Sequence, residues 1–102
     1  MRRRIKEAED IERTKRIVKS ILDLGKKSIE NAHYSVNTIY TRSTSTPSEV
    51  KLDPTDITRL LEPLVKKGLI DKIPIVDAYW SPVMQVYAAN TSKIQDLEKM
   101  LH

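Results

Sequence analysis

Apolar residues recur at helical spacing in two stretches of this chain, and each stretch ends at a glycine. Leu22, Ile21, Val18 and Ile17 lie 3, 4, 7 and 8 positions before Gly25, and Val65, Leu64, Leu61 and Leu60 occupy the same offsets before Gly68. Such spacing lines one face of an α-helix, so one amphipathic stripe is written twice. Gly25 and Gly68 are the only glycines in the chain, and Gly25 is expected to supply the left-handed residue that commonly ends a helix. With Ile11 extending the first stripe, the first helix is expected from about Glu9 to Leu24. The charged residues on its other face, Glu12, Arg13, Lys15, Arg16 and Lys19, and the acidic first turn of Glu7, Glu9 and Asp10 read as solvated. The second helix has a strong start signal: Asp53 caps, Pro54 takes the first helical position, Asp56 lies in the first turn, and Leu52 and Ile57 have staple spacing. Pro63 removes one backbone bond from that helix, and a kink or break near Glu62 is expected.

Beyond each glycine the pattern turns β-prone. Ser28 to Thr44 contains Tyr34, Val36, Thr38, Ile39, Tyr40 and Thr41, which suits two short strands turning at Asn37. Leu69 to Val76 reads as a strand that Pro74 confines to an edge or a bend, followed by Ala78-Tyr79-Trp80 and Val83 to Ala89. Between the halves, Thr46-Pro47-Ser48-Glu49 has capping-box form and predicts a single turn of helix. Ser92 and Gln95 have the same spacing ahead of Ile94, Leu97 and Leu101, which predicts a closing helix over 93–101. The fold class expected is therefore α+β: a tandem αββ duplication with pseudo-two-fold symmetry, motifs at 8–45 and 52–91, and a C-terminal helix at 92–102. The two motifs should share one core within a single domain, 1–102, because units of half this length are short of core. Ile17 and Ile21 are expected to be buried, as are their counterparts Leu60 and Leu64.

Composition narrows the function. At 39% hydrophobic and 31% charged residues, the chain is too apolar for a disordered tail, and it has no run of the roughly 18 to 20 apolar residues a membrane span needs. The basic start lacks the apolar stretch of a signal peptide, so a cytoplasmic location is expected. There is no cysteine, hence no disulfide, thiolate nucleophile or cysteine metal site. The only imidazoles are His33 and His102, and His33 reads as structural. Asp53 and Asp56 are accounted for by capping, and two glycines cannot build a phosphate-cradling loop. No enzyme, metal or cofactor is expected. The net charge of +4 belongs to Arg2, Arg3, Arg4 and Lys6, four of 18 basic residues, which leaves 14 to balance 14 acidic ones. That segment is either a solvated terminus or a phosphate-binding element.

The sharpest candidate site is aromatic. Tyr34, Tyr40, Tyr79, Trp80 and Tyr87 are the whole aromatic set and all fall in expected strands, four of them at equivalent places in the two motifs. They are core candidates first. Tyrosine and tryptophan are also enriched at interfaces, and hairpins leave edges for strand addition. The expected function is thus a non-enzymatic module that binds a peptide segment of a partner protein in a groove between the motifs, with homodimerisation open.

Thr46 to Tyr87 also resembles part of a winged helix. Thr46-Pro47-Ser48-Glu49-Val50 corresponds to a short helix two, Asp56 to Ile70 to the recognition helix and its exit, and the segment after Gly68 to the wing. The resemblance implies that Thr55, Thr58 and Arg59, with Lys66 or Lys67, face DNA, beside Arg2, Arg3, Arg4 and Lys6. In length and duplication the whole chain resembles a small two-motif protein of unknown function from filamentous viruses of hyperthermophilic archaea. That likeness implies a viral accessory protein in the host cytoplasm.

Overall fold

The computed structural model describes residues 2–27, 33–76, 78–79 and 82–101, with side chains at 7–26, 33–76, 78–79 and 84–101. Helix α1 spans Arg2–Lys27, strand β1 Tyr34–Ser35, α2 Val36–Ser43, α3 Pro54–Lys66, β2 Ile70–Val76 and β3 Pro82–Ala89; a 3-10 turn, Thr91–Lys93, leads into α4, Ile94–Lys99. The three strands form one antiparallel sheet in the order β1-β3-β2, with Tyr34 opposite Tyr87 and Ile70 to Ile75 opposite Ala89 to Met84. The fold class is α+β. Among the described residues no helix is long and apolar enough to cross a membrane.

The core explains the stripes. Ile17, Val18 and Ile21 of α1, Ile39 of α2, Ile57, Leu61 and Leu64 of α3, Ile70 and Tyr87 of the sheet and Leu97 of α4 are all buried in one cluster. Of the four residues expected to be equivalent, Ile17, Ile21 and Leu64 are buried, whereas Leu60 is half-buried and Ile57 takes the inward position.

The tandem αββ arrangement and its pseudo-symmetry are not seen, because the expected first hairpin is a two-residue strand followed by a helix. Ser35 caps α2 by accepting the Thr38 N–H at 3.3 Å. Val36, Ile39, Tyr40 and Ser43 then fall on one helical face, with Ile39 and Ser43 buried. Packing on α1 and α3 outweighs the β preference of Val, Ile, Thr and Tyr, which spans only about 1 kcal/mol. Ser43 donates to the buried Ser20 hydroxyl at 2.9 Å, and Ser20 in turn donates to the Arg16 carbonyl at 2.8 Å, so neither polar group is orphaned.

Four smaller expectations change. Gly25 does not end the first helix; it sits within α1, where an interior glycine costs about 1 kcal/mol and the buried turns before it hold the helix. Gly68 does end α3, at φ 76°, with its N–H on the Val65 carbonyl and the Leu69 N–H on the Leu64 carbonyl. Pro63 does not split α3, because it removes a single N–H while Leu61 and Leu64 anchor both sides in the core. Thr46 to Val50 is a loop rather than a turn of helix. There Ser48 accepts the Val50 N–H, and the Val50 and Lys51 carbonyls are taken by Arg16 and Arg13 at 2.7 Å each. At the C-terminus Asn90, not Ser92, is the cap. It accepts from the Ser92 N–H at 3.1 Å and caps the 3-10 turn Thr91–Lys93, while α4 starts after Lys93 with no side-chain cap.

Tyr87 offers a stability test. Its side chain is 1% exposed and its hydroxyl is buried without a hydrogen-bond partner. A buried unsatisfied hydroxyl is unfavourable, so Tyr87→Phe is expected to be as stable as the parent or up to about 1 kcal/mol more stable, measured by urea unfolding. A loss above about 1 kcal/mol would mean that the hydroxyl has a partner.

Candidate nucleic-acid interface

The start of α3 is built to be held. Asp53 accepts from the N–H groups of Thr55 and Asp56 and from the Thr55 hydroxyl, while the Asp56 carboxylate accepts the Asp53 N–H at 3.0 Å. These bonds satisfy helix-terminal donors and keep the Asp53 carboxyl below its ordinary pKa, the Thr55 hydroxyl contributing most. Asp56, Arg59 and Glu62 then lie along the outer side of the first two turns.

Helix α1 meets this point through charge. Arg59 donates to both oxygens of Asp10, at 2.9 and 3.1 Å, and to Asp56 at 2.8 Å. Arg13 donates to the same Asp10 at 2.8 Å and to Glu9 at 3.2 Å, and its Nε holds the Lys51 carbonyl. Hydrogen bonding to Arg59 is the main reason that Asp10 has a pKa of about 2, below the usual 3.8, and the same contact raises Arg59. Arg13 and Asp10 were expected to be solvated. Instead Arg13 is 14% exposed and joins α1, α3 and the loop between α2 and α3. Only the tertiary contact of two helices distant in sequence identifies this role.

Of the nucleic-acid candidates, Thr58, Arg59, Lys66 and Lys67 are all exposed, with Thr55 one turn earlier on the same helix. Arg59 is 45% exposed despite its partners. Arg2, Arg3, Arg4 and Lys6 belong to the first turns of α1, and their side chains lie outside the described residues. Because α1 is continuous, Lys6 is about 6 Å and Arg2 about 12 Å along the axis beyond Asp10. The Asp10–Arg59 contact thus ties α3 to α1 at a point one to two helical turns from the basic segment.

The described aromatic candidates take different places in the fold, with Tyr34 and Tyr87 opposite each other across β1 and β3. Tyr87 is a core residue, Tyr34 is half-buried with its hydroxyl on the Leu24 carbonyl at 2.9 Å, and Tyr40 packs against the core from α2. Tyr79 is 88% exposed, and Trp80 lies outside the described residues. The free edge of β2 is also blunted. The Asn90 N–H bonds to the Leu69 carbonyl, so hydrogen-bonded pairs alternate from there and Pro74 falls in a non-bonded pair, its nitrogen turned to the outer edge. A strand added at that edge would lack a donor at its centre.

Between Ile73 and Gln85 the hairpin contains neither lysine nor arginine, and Ile73, Ile75, Val76 and Met84 are 40–45% exposed. Lys72 is paired with Glu62 at 3.3 Å. The basic candidates thus lie on α1, on α3 and just after it rather than between residues 73 and 85. No family model, curated protein or solved structure matches this chain.

Proposed function

We propose that this chain is a non-enzymatic DNA-binding protein of the winged-helix type, with α3 as its recognition helix and the start of α1 as a phosphate-binding arm. The succession α1-β1-α2-α3-β2-β3 and the sheet order β1-β3-β2 favour this class, with α2 as helix two and the β2–β3 hairpin as wing. The observation that carries the reading is the contact of α1 with the exposed Arg59 of α3 through Asp10, four residues beyond Lys6 on a continuous helix. A 13-residue helix of about 20 Å, bearing Thr55, Thr58 and Arg59 near its N-terminus, suits a major groove about 12 Å wide. The basic residues of α1 would then run along the adjoining backbone. A peptide groove has less support, since two of its aromatic candidates are committed to the core or to an internal hydrogen bond.

A salt titration of duplex binding tests this. Contacts from Arg2, Arg3, Arg4, Lys6, Lys66 and Lys67 predict a fall of log affinity with log salt of slope about −5. Removing residues 1–6 is expected to reduce that slope to about −2 while leaving preference among sequences intact. Absence of duplex binding at low salt would reject the proposal, as would a slope unaffected by the truncation.

A further inference from the structure

A cavity of about 250 Å³ opens between the C-terminal part of α1, one end of the sheet and the segment that leads into α4. It lies away from Arg59. Leu22, Ala88 and Ile94 give it an apolar wall, and Lys26, His33, Asp71 and Glu98 line the remainder. The strand register explains the space. His33 directly precedes β1, so continuing the pairing of Tyr34 with Tyr87 sets it across from Ala88, which is itself opposite Asp71. A methyl group therefore stands between an imidazole and a carboxylate in one cross-strand row, where a larger side chain would fill the gap.

The Nε2 atom of His33 is buried and has no hydrogen-bond partner among the described residues. Asp71, Glu98 and Lys26 form no ion pair among the described residues. That nitrogen is closed to solvent, so the groups a guest can reach are the apolar wall and the exposed Lys26, Asp71 and Glu98. Two carboxylates against one ammonium favour a cationic guest. An apolar cavity of about 150 Å³ accepts a benzene ring, so this larger one has room for a ring with a short arm.

We propose that this cavity is a binding site for a small organic ammonium compound, a single ring or compact chain with one protonated amine. Its body packs on Leu22, Ala88 and Ile94. Its amine is attracted by Asp71 and Glu98. Such a site is separate from the DNA-binding surface proposed for α3 and stands or falls independently of it.

Calorimetric titration of the full chain with phenethylamine, 2-phenylethanol and phenylacetate, which share ring and arm, tests the site. Phenethylamine is expected to bind at least about tenfold more tightly than phenylacetate, with the alcohol between them. Ala88→Leu fills the cavity and is expected to weaken phenethylamine at least about tenfold. The exposed-residue variant Asp71→Asn/Glu98→Gln is expected to bring the three probes within about threefold of one another. Equal binding of the three probes to the parent, or no saturable binding up to roughly 10 mM, overturns the proposal. So does phenethylamine affinity unchanged in a folded Ala88→Leu protein. If that variant fails to fold, the charge-removal variant decides alone.

Discussion

Leu61→Ala is expected to lose about 2–5 kcal/mol of stability, the largest effect of any single truncation considered. Leu61 is fully buried at the middle of α3, in the cluster that joins α1, α2, α3 and the sheet. Removing its branched end forfeits transfer free energy and leaves a void that neighbours on four elements cannot all move to fill. A domain of this size has about 5–15 kcal/mol in total, so the variant should keep only part of its cooperative transition. Its Tm is expected to fall by about 8–40 °C, from the usual 4–8 °C per kcal/mol for small domains. The control is Ile11→Ala: the same truncation to alanine at a site 59% exposed should stay within about 0.5 kcal/mol. Equal losses in the two variants would show that α3 is not seated as described.

Arg59→Ala is expected to separate folding from recognition. Its ion pairs with Asp10 and Asp56 are half-exposed, and such pairs contribute no more than about 1 kcal/mol. If Arg59 reads a base edge, its loss relaxes discrimination at that position by about 1–3 kcal/mol while most of the salt slope, carried by other residues, is retained. A competition assay with single-base variants of a selected duplex measures the first quantity. Unchanged discrimination would remove Arg59 from the interface.

The same substitution has an acid signature. Asp10 is held at about 2 chiefly by its hydrogen bonds from Arg59, below the ordinary 3.8. A depressed carboxyl contributes stability that is fully present above the unfolded value and is lost as pH falls through the folded one. The parent should therefore lose this contribution between about pH 4 and pH 2, and Arg59→Ala should lose less of it over the same window. Parallel stability curves for the two proteins across that range would contradict the assignment of the Asp10 shift to Arg59.

The start of α3 was legible because its signals are local. Asp53, Pro54 and Asp56 act within one helical turn, so their spacing in the sequence is their spacing in space. The left-handed cap expected at Gly25 is found instead at Gly68, where the helix ends. Segment 34–43 was not legible, since Tyr, Val, Ile and Thr favour strands only by amounts that burial of one helical face exceeds. The interface divides in the same way. Thr58, Arg59, Lys66 and Lys67 were visible as exposed positions of a recognisable helix, whereas Asp10 and Arg13 looked like ordinary surface charge until α1 and α3 were seen to cross.

By itself the sequence determined the two amphipathic stripes, the caps of α3, the β2–β3 hairpin and the clustering of net positive charge in Arg2, Arg3, Arg4 and Lys6. These depend on neighbours along the chain and on hydrophobic period, which are properties of the sequence itself. Tertiary structure decided that Ser35 begins a helix, that Gly25 stays inside one, and that Tyr87 belongs to the core. It also brought Asp10 of α1 to Arg59 of α3. Those outcomes depend on which surfaces meet, and contact between residues 49 positions apart is set by how the whole core packs.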